Sequence, residues 1–176
     1  MSKVMIESYM LKALEQSDID LKNVLSRNLE QLNKNLENIL SGNLDDIKNT
    51  NNAFLLFKVQ TETVHWLVDC IERINIYKVS SEDRKIFSAF KFLNNALKHN
   101  NSLTYINITK GYFEFPNMTF PAPNKLEYQW ADLSYLKDVK NDNQGKIYRE
   151  CLEGNEILQT IESAILKINY YIKVKQ

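Results

Sequence analysis

The chain has 176 residues, 44% hydrophobic and 25% charged, a balance that fits one folded domain with a sizeable core and excludes a disordered chain. Its 22 basic and 22 acidic residues cancel, so net charge points to no partner and only the distribution of charge can do so. Arg27, Arg73, Arg84 and Arg149 are the only arginines, so any handling of phosphate leans on lysine, backbone amides or a second subunit.

The opening "MSKVMIESYMLKALEQ" is charged and amphipathic and lacks the apolar core of a signal peptide. No run approaches the roughly 20 apolar residues of a membrane span, and a cytoplasmic location is expected. A short helix is predicted over residues 3–15, with a stop in "SDID", where Ser17 or Asp18 caps the next one. From Ile19 to Leu40 a second helix carries Leu21, Val24, Leu25, Leu29, Leu32, Leu36, Ile39 and Leu40 on one stripe, and Gly42 stands at a C-cap position. That stripe suits packing within the chain's own bundle, or a dimer interface.

A central helix follows from about Asn51 to Tyr77, with Phe54, Phe57, Val64, Leu67, Val68, Ile71 and Ile74 on its apolar face. His65 and Trp66 lie within it, and the histidine reads as a packing residue because no HExxH spacing accompanies it. Cys70 and Cys151 are far apart, without CxxC spacing, and read as reduced, buried thiols. The next helix is predicted from Ser81 to about His99. Ser80 or Ser81 caps it, Glu82 and Asp83 suit the positive end of its dipole, and Ile86, Phe90, Leu93 and Leu97 face inward.

After Asn101 the pattern alternates. "LTYINITKGYFEF" predicts a hairpin turning at Lys110-Gly111, and "LEYQW" adds a third short strand, so that about 103–131 forms a small β insert lying on the helices. Residues 137–145 read as an exposed loop, 144–152 as a short helix stopped at Gly154, and Asn155 as the cap of a last helix through Ile157, Leu158, Ile161, Ile165 and Ile168. The expected fold is mainly α: a single-domain helical bundle with a small β-hairpin or irregular insert before the C-terminal helices.

Four scattered glycines exclude a glycine-rich phosphate loop, and no Gly-x-Ser-x-Gly elbow is present. Asp45-Asp46 precedes a helix and reads as capping rather than metal binding, and neither metal nor cofactor is implied. What remains is the run from Lys85 to Phe113, which carries Lys85, Lys91, Lys98 and Lys110 with no acidic residue, together with Tyr105, Tyr112 and Phe113. Lysine attracts a nucleic-acid backbone and exposed aromatic rings stack on bases. Asn95 and His99, at i and i+4, share a helix face near a negative dipole end that favours a protonated imidazole. Such a histidine can move a proton while the amide holds a phosphate or a 2′-hydroxyl.

"SAFKFLNNALKHN" resembles the active-site helix of the HEPN superfamily, all-α proteins of bacterial conflict systems, many of them metal-independent ribonucleases. Their motif is an arginine, a polar residue often asparagine, about three less restricted residues, and a histidine. By that resemblance Asn95 matches the polar residue and His99 the histidine, while Asn94 stands where the arginine belongs. The resemblance implies a homodimer whose two motif helices face each other. It also implies His99 and Asn95 as catalytic residues and a defence or toxin–antitoxin setting, to which the basic and aromatic run adds expected RNA contacts by Lys91, Asn94, Lys98, Tyr105 and Lys110. A protein-interaction module, antitoxin-like or an accessory subunit binding a protein partner, is the alternative expectation. A third reading has Asn94, Asn95 and His99 simply ending a helix.

Overall fold

A computed structural model describes residues 3–40, 52–100, 104–115, 118–137 and 143–173, with side chains over part of these. The described residues form five helices and one hairpin in the order α1 (Lys3–Leu40), α2 (Asn52–Arg73), α3 (Ser81–Ala96), β1 (Thr104–Phe115), β2 (Met118–Trp130), α4 (Asn143–Cys151) and α5 (Ile157–Lys173). The fold is mainly helical, with an antiparallel two-stranded hairpin between α3 and the C-terminal helices, as the residue pattern predicts.

The predicted break at Ser17 and Asp18 is absent: α1 is continuous for 38 residues. Both residues are buried where α1 crosses α2. The Thr63 hydroxyl of α2 donates to the Ser17 carbonyl at 3.0 Å, so serine's small side chain lets the backbones approach. Asp18 is matched one turn on by Lys22, whose Nζ lies 2.7 Å from Asp18 Oδ2 and 2.7 Å from Glu162 of α5. A cap signal is a local preference, and tertiary partners override it here. Gly42 and Asp45-Asp46 lie outside the described residues.

The central helix also ends earlier than predicted, at Arg73. Asn75 then starts a 3₁₀ turn over Ile76–Lys78 by accepting from the Tyr77 N–H at 3.1 Å. Phe54 is 76% exposed rather than on the apolar face, and His65 is exposed with its ring edge on Trp66. Ser80 caps α3 as expected, its Oγ accepting from the Asp83 N–H at 3.1 Å.

The core joins Leu14, Leu21 and Leu25 of α1, Val64, Leu67 and Ile71 of α2, and Phe87, Phe90 and Leu93 of α3 to Ile157, Ile161, Ala164 and Ile168 of α5. Leu25 and Leu29 flank Ile157 and Leu158 around a small cavity while Lys22 pairs with Glu162, so α1 and α5 run antiparallel. Asp83 of α3 is held to α5 by Lys167 Nζ and by the Tyr171 hydroxyl.

The insert has two long strands rather than a short hairpin with a third strand. Thr104 pairs with Trp130 and Phe115 with Met118, and "LEYQW" is the second half of β2. Lys110-Gly111 is no turn. It marks a register shift, since Thr109 pairs with Lys125 but Gly111 with Ala122, and a bulge is the other common use of a strand glycine. At the root of β2, Leu126, Tyr128 and Trp130 are buried in alternation, the strand period of two. Trp130 donates to the Thr160 hydroxyl at 2.8 Å and meets Phe90 edge-on. Its backbone clasps the α4–α5 turn, accepting from Gly154 N–H at 3.1 Å and donating to the Asn155 carbonyl at 3.1 Å. Gly154 makes that turn with φ of 72°. Asn155 does not cap α5: its side-chain amide turns back to the Cys151 carbonyl at 3.1 Å and closes α4 instead.

Candidate functional site

The candidate site is built on the last turn of α3. Regular helix stops at Ala96, and the N–H groups of Lys98 and His99 reach back three residues, to Asn95 and Ala96. Each 3₁₀ residue turns about 20° further than an α-helical one. His99 therefore stands on a tightened turn, rotated from the i+4 register with Asn95 that a helix continuing to His99 predicts.

Asn100 is the residue that ends this helix, and the sequence reading did not single it out. Its side chain is buried, 7% exposed. The amide nitrogen donates to the Ala96 carbonyl at 2.8 Å and to the Lys137 carbonyl at 3.2 Å, and the amide oxygen accepts from the Lys137 N–H at 2.7 Å. One side chain thus gives the Ala96 carbonyl a second donor beside the His99 N–H and fixes the segment after β2 to the end of α3. Asparagine has both a donor and an acceptor to do this; aspartate or leucine has not.

Outside that clamp, Asn95, Lys98 and His99 are exposed together. Lys98 Nζ lies 3.4 Å from Asn95 Oδ1, which places a cation beside the amide. Asn94 is half-buried one position back. Two other lysines of the acid-free run are answered from neighbouring elements: Lys91 Nζ lies 3.8 Å from Glu72 of α2 and Lys85 Nζ 3.3 Å from Glu150 of α4. A run without acids in sequence is therefore not an acid-free patch in space. Lys110 belongs to β1 at the register shift. Tyr105, at the root of β1, donates to Gln129 at 2.7 Å and lines a cleft with Tyr135 and Asp132. Lys98 sits against Asn95, His99 is exposed on the tightened turn that follows, and Lys91, Tyr105 and Lys110 lie on separate interactions or elements.

The chemistry available at the end of α3 is a proton-transfer group, an amide and one ammonium. Arg84 is not part of it, since it sits in the first turn of α3 with Nε 3.4 Å from the Ser80 carbonyl. Neither cysteine offers a nucleophile. Burial pushes the Cys70 thiol up to about 11, and burial likewise raises Cys151. No group of three or more His, Cys, Asp or Glu side chains able to hold a metal occurs among the described residues, and no described helix is long and apolar enough to cross a membrane. The sequence matches no protein-family model, and neither curated proteins nor solved structures give a match.

Proposed function

We propose that the chain is a HEPN-like RNA-binding protein that acts as a homodimer in a bacterial defence or toxin–antitoxin setting, its cleavage chemistry degenerate. The observation that carries this reading is the exposed group Asn95, Lys98 and His99 on the rigid last turn of α3, in a mainly helical bundle. Lys98 attracts the RNA backbone, Asn95 holds a phosphate or 2′-hydroxyl, and His99 serves any residual cleavage as general acid or base. No metal or cofactor is required. With Asn94 at the motif's arginine position the fixed charge that stabilises a cleaving phosphate is lacking, so binding is the expected activity. The test is anisotropy of a labelled single-stranded RNA. Lys98→Glu should weaken binding severalfold, and added salt should weaken it further. Salt-insensitive binding, or none, overturns the proposal.

The interaction-module reading rests on a different observation. Ion pairs to Glu72 and Glu150 spend two of the four lysines, while Ile19 of α1 and Leu166 and Tyr170 of α5 are exposed on two helices that run side by side. Exposed apolar side chains on neighbouring helices suit a protein partner. Pull-down with Leu166→Lys as the control separates it from RNA binding, which that change should leave intact.

A further inference from the structure

The cleft at the root of the hairpin belongs to neither reading. It encloses about 630 Å³ and is lined by Thr104, Tyr105, Ala131, Asp132, Tyr135 and Leu136. Two of its walls are tyrosines, and Tyr135 is 80% exposed, an aromatic surface that the fold leaves uncovered. Asp132 starts a 3₁₀ turn over Leu133–Tyr135 and accepts from the Ser134 N–H at 2.7 Å through Oδ1. Hydrogen bonds from the Ser134 side chain and then its N–H hold the carboxyl below the usual carboxylate range, with the Arg149 charge a smaller cause. The charge is therefore present at any physiological pH.

Behind the turn Glu153 adds a second carboxylate. It accepts from the Leu133 N–H at 2.8 Å and lies 3.7 Å from Arg149 Nε. Two carboxylates, Asp132 and Glu153, thus stand with one guanidinium around the turn. None of the described lining residues is Lys or Arg. Such a cleft disfavours phosphate. Aromatic faces and a carboxylate both attract positive charge, and together they suit an alkylated ammonium better than a small hydrated ion, since the rings also take up its apolar surface.

We infer that this cleft binds a small organic cation, an alkylammonium held against Tyr105 and Tyr135 with its charge towards Asp132. The inference does not depend on RNA binding at the end of α3. Choline is the probe, and 3,3-dimethyl-1-butanol, the same shape without the charge, is its control. In two-dimensional amide NMR spectra of the full chain, choline should give saturable shifts at Tyr105, Asp132 and Tyr135, and the neutral alcohol should not. Asp132→Asn retains the acceptor for Ser134 and removes the charge, while Tyr135→Leu retains apolar bulk and removes the π face. Each should weaken choline binding by up to about fivefold, the fold-change that corresponds to an ion pair or a cation–π contact at an accessible site. Absence of saturable shifts, equal shifts with the alcohol, indifference to Asp132→Asn, or saturation by guanosine in place of choline overturns the inference.

Discussion

The Tyr171 hydroxyl of α5 donates to Asp83 Oδ2 at 2.6 Å across 88 residues of sequence, and Lys167 holds the other oxygen of the same carboxylate. With the Asp83 N–H bound to the Ser80 Oγ and the Ser80 N–H bound to the Tyr171 hydroxyl at 3.2 Å, the start of α3 and the end of α5 close into one network.

Asp83→Asn should lower stability by about 1.5–3 kcal/mol, the range for a hydrogen bond to a charged group, read from the urea midpoint at neutral pH. Burial alone would raise the Asp83 pKa. Hydrogen bonds from Lys167, Tyr171 and Ser80 outweigh it and leave the pKa below the usual value. A carboxylate with a depressed folded pKa contributes stability above its unfolded pKa of about 4 and loses it as pH falls through the folded one. The gap between parent and Asp83→Asn should therefore narrow below pH about 4, and a gap constant down to pH about 2 would refute the charge-based account.

Asn100→Leu should cost about 2–4 kcal/mol, because it leaves both backbone polar groups of Lys137 without their side-chain partner and strips the Ala96 carbonyl of one of its two donors. Limited proteolysis should then cut near Lys137 in the variant and not in the parent. Asn100→Asp keeps the acceptor but not the donor and should fall between the two.

The helical stripes were legible because burial against one core repeats every three or four residues, and Ser80 was legible because a cap is local. The break misplaced at Ser17 shows the converse. Its reason for being helical lies in Thr63 and Lys22, one of them 46 residues away. Lys110-Gly111 carries a turn signal that a strand bulge shares. At the candidate site, that Asn95 and His99 share the exposed end of α3 follows from sequence, while the tightened turn between them does not. The neutralising Glu72 and Glu150 do not, since they reach Lys91 and Lys85 from α2 and α4. Asn100 had a signal, a second polar residue directly after the motif, but not one that distinguishes a clamp from a solvated end.

Gly154→Ala should destabilise by about 1 kcal/mol, with the cost in the backbone. The φ of 72° is strained for alanine, while among the described residues an added Cβ would meet the Tyr105 hydroxyl alone, at an ordinary 3.9 Å. Gly154→Asn should cost less. A larger loss for asparagine than for alanine would place the effect in packing instead.

Cys70 should resist alkylation by iodoacetamide at pH 8 in the native chain and react once the chain unfolds, because burial and a pKa near 11 leave almost no thiolate. A folded pKa raised above the unfolded value of about 8.5 gives stability that is complete below that value and declines as pH rises towards 11. Cys70→Ala should accordingly flatten the alkaline limb of the stability profile, as melting temperatures against pH will show.

His99→Ala should change the unfolding free energy by no more than about 0.5 kcal/mol, as expected of an exposed side chain, and reduce RNA binding or any trace cleavage. Asn94→Arg should raise cleavage by supplying the charge that the superfamily motif has at that position. A parent that is inert and stays inert as Asn94→Arg ends the catalytic reading.

Because Asn100 joins Ala96 to Lys137, the end of α3 cannot open without releasing the segment that carries Asp132, Tyr135 and Leu136. The two should exchange their amide hydrogens as one cooperative unit, with a shared opening free energy. A molecule seated against Tyr135 would then slow deuterium uptake at Leu97, Lys98 and His99 while touching none of them. By thermodynamic reciprocity, anything gripping His99 would tighten the cleft by the same factor.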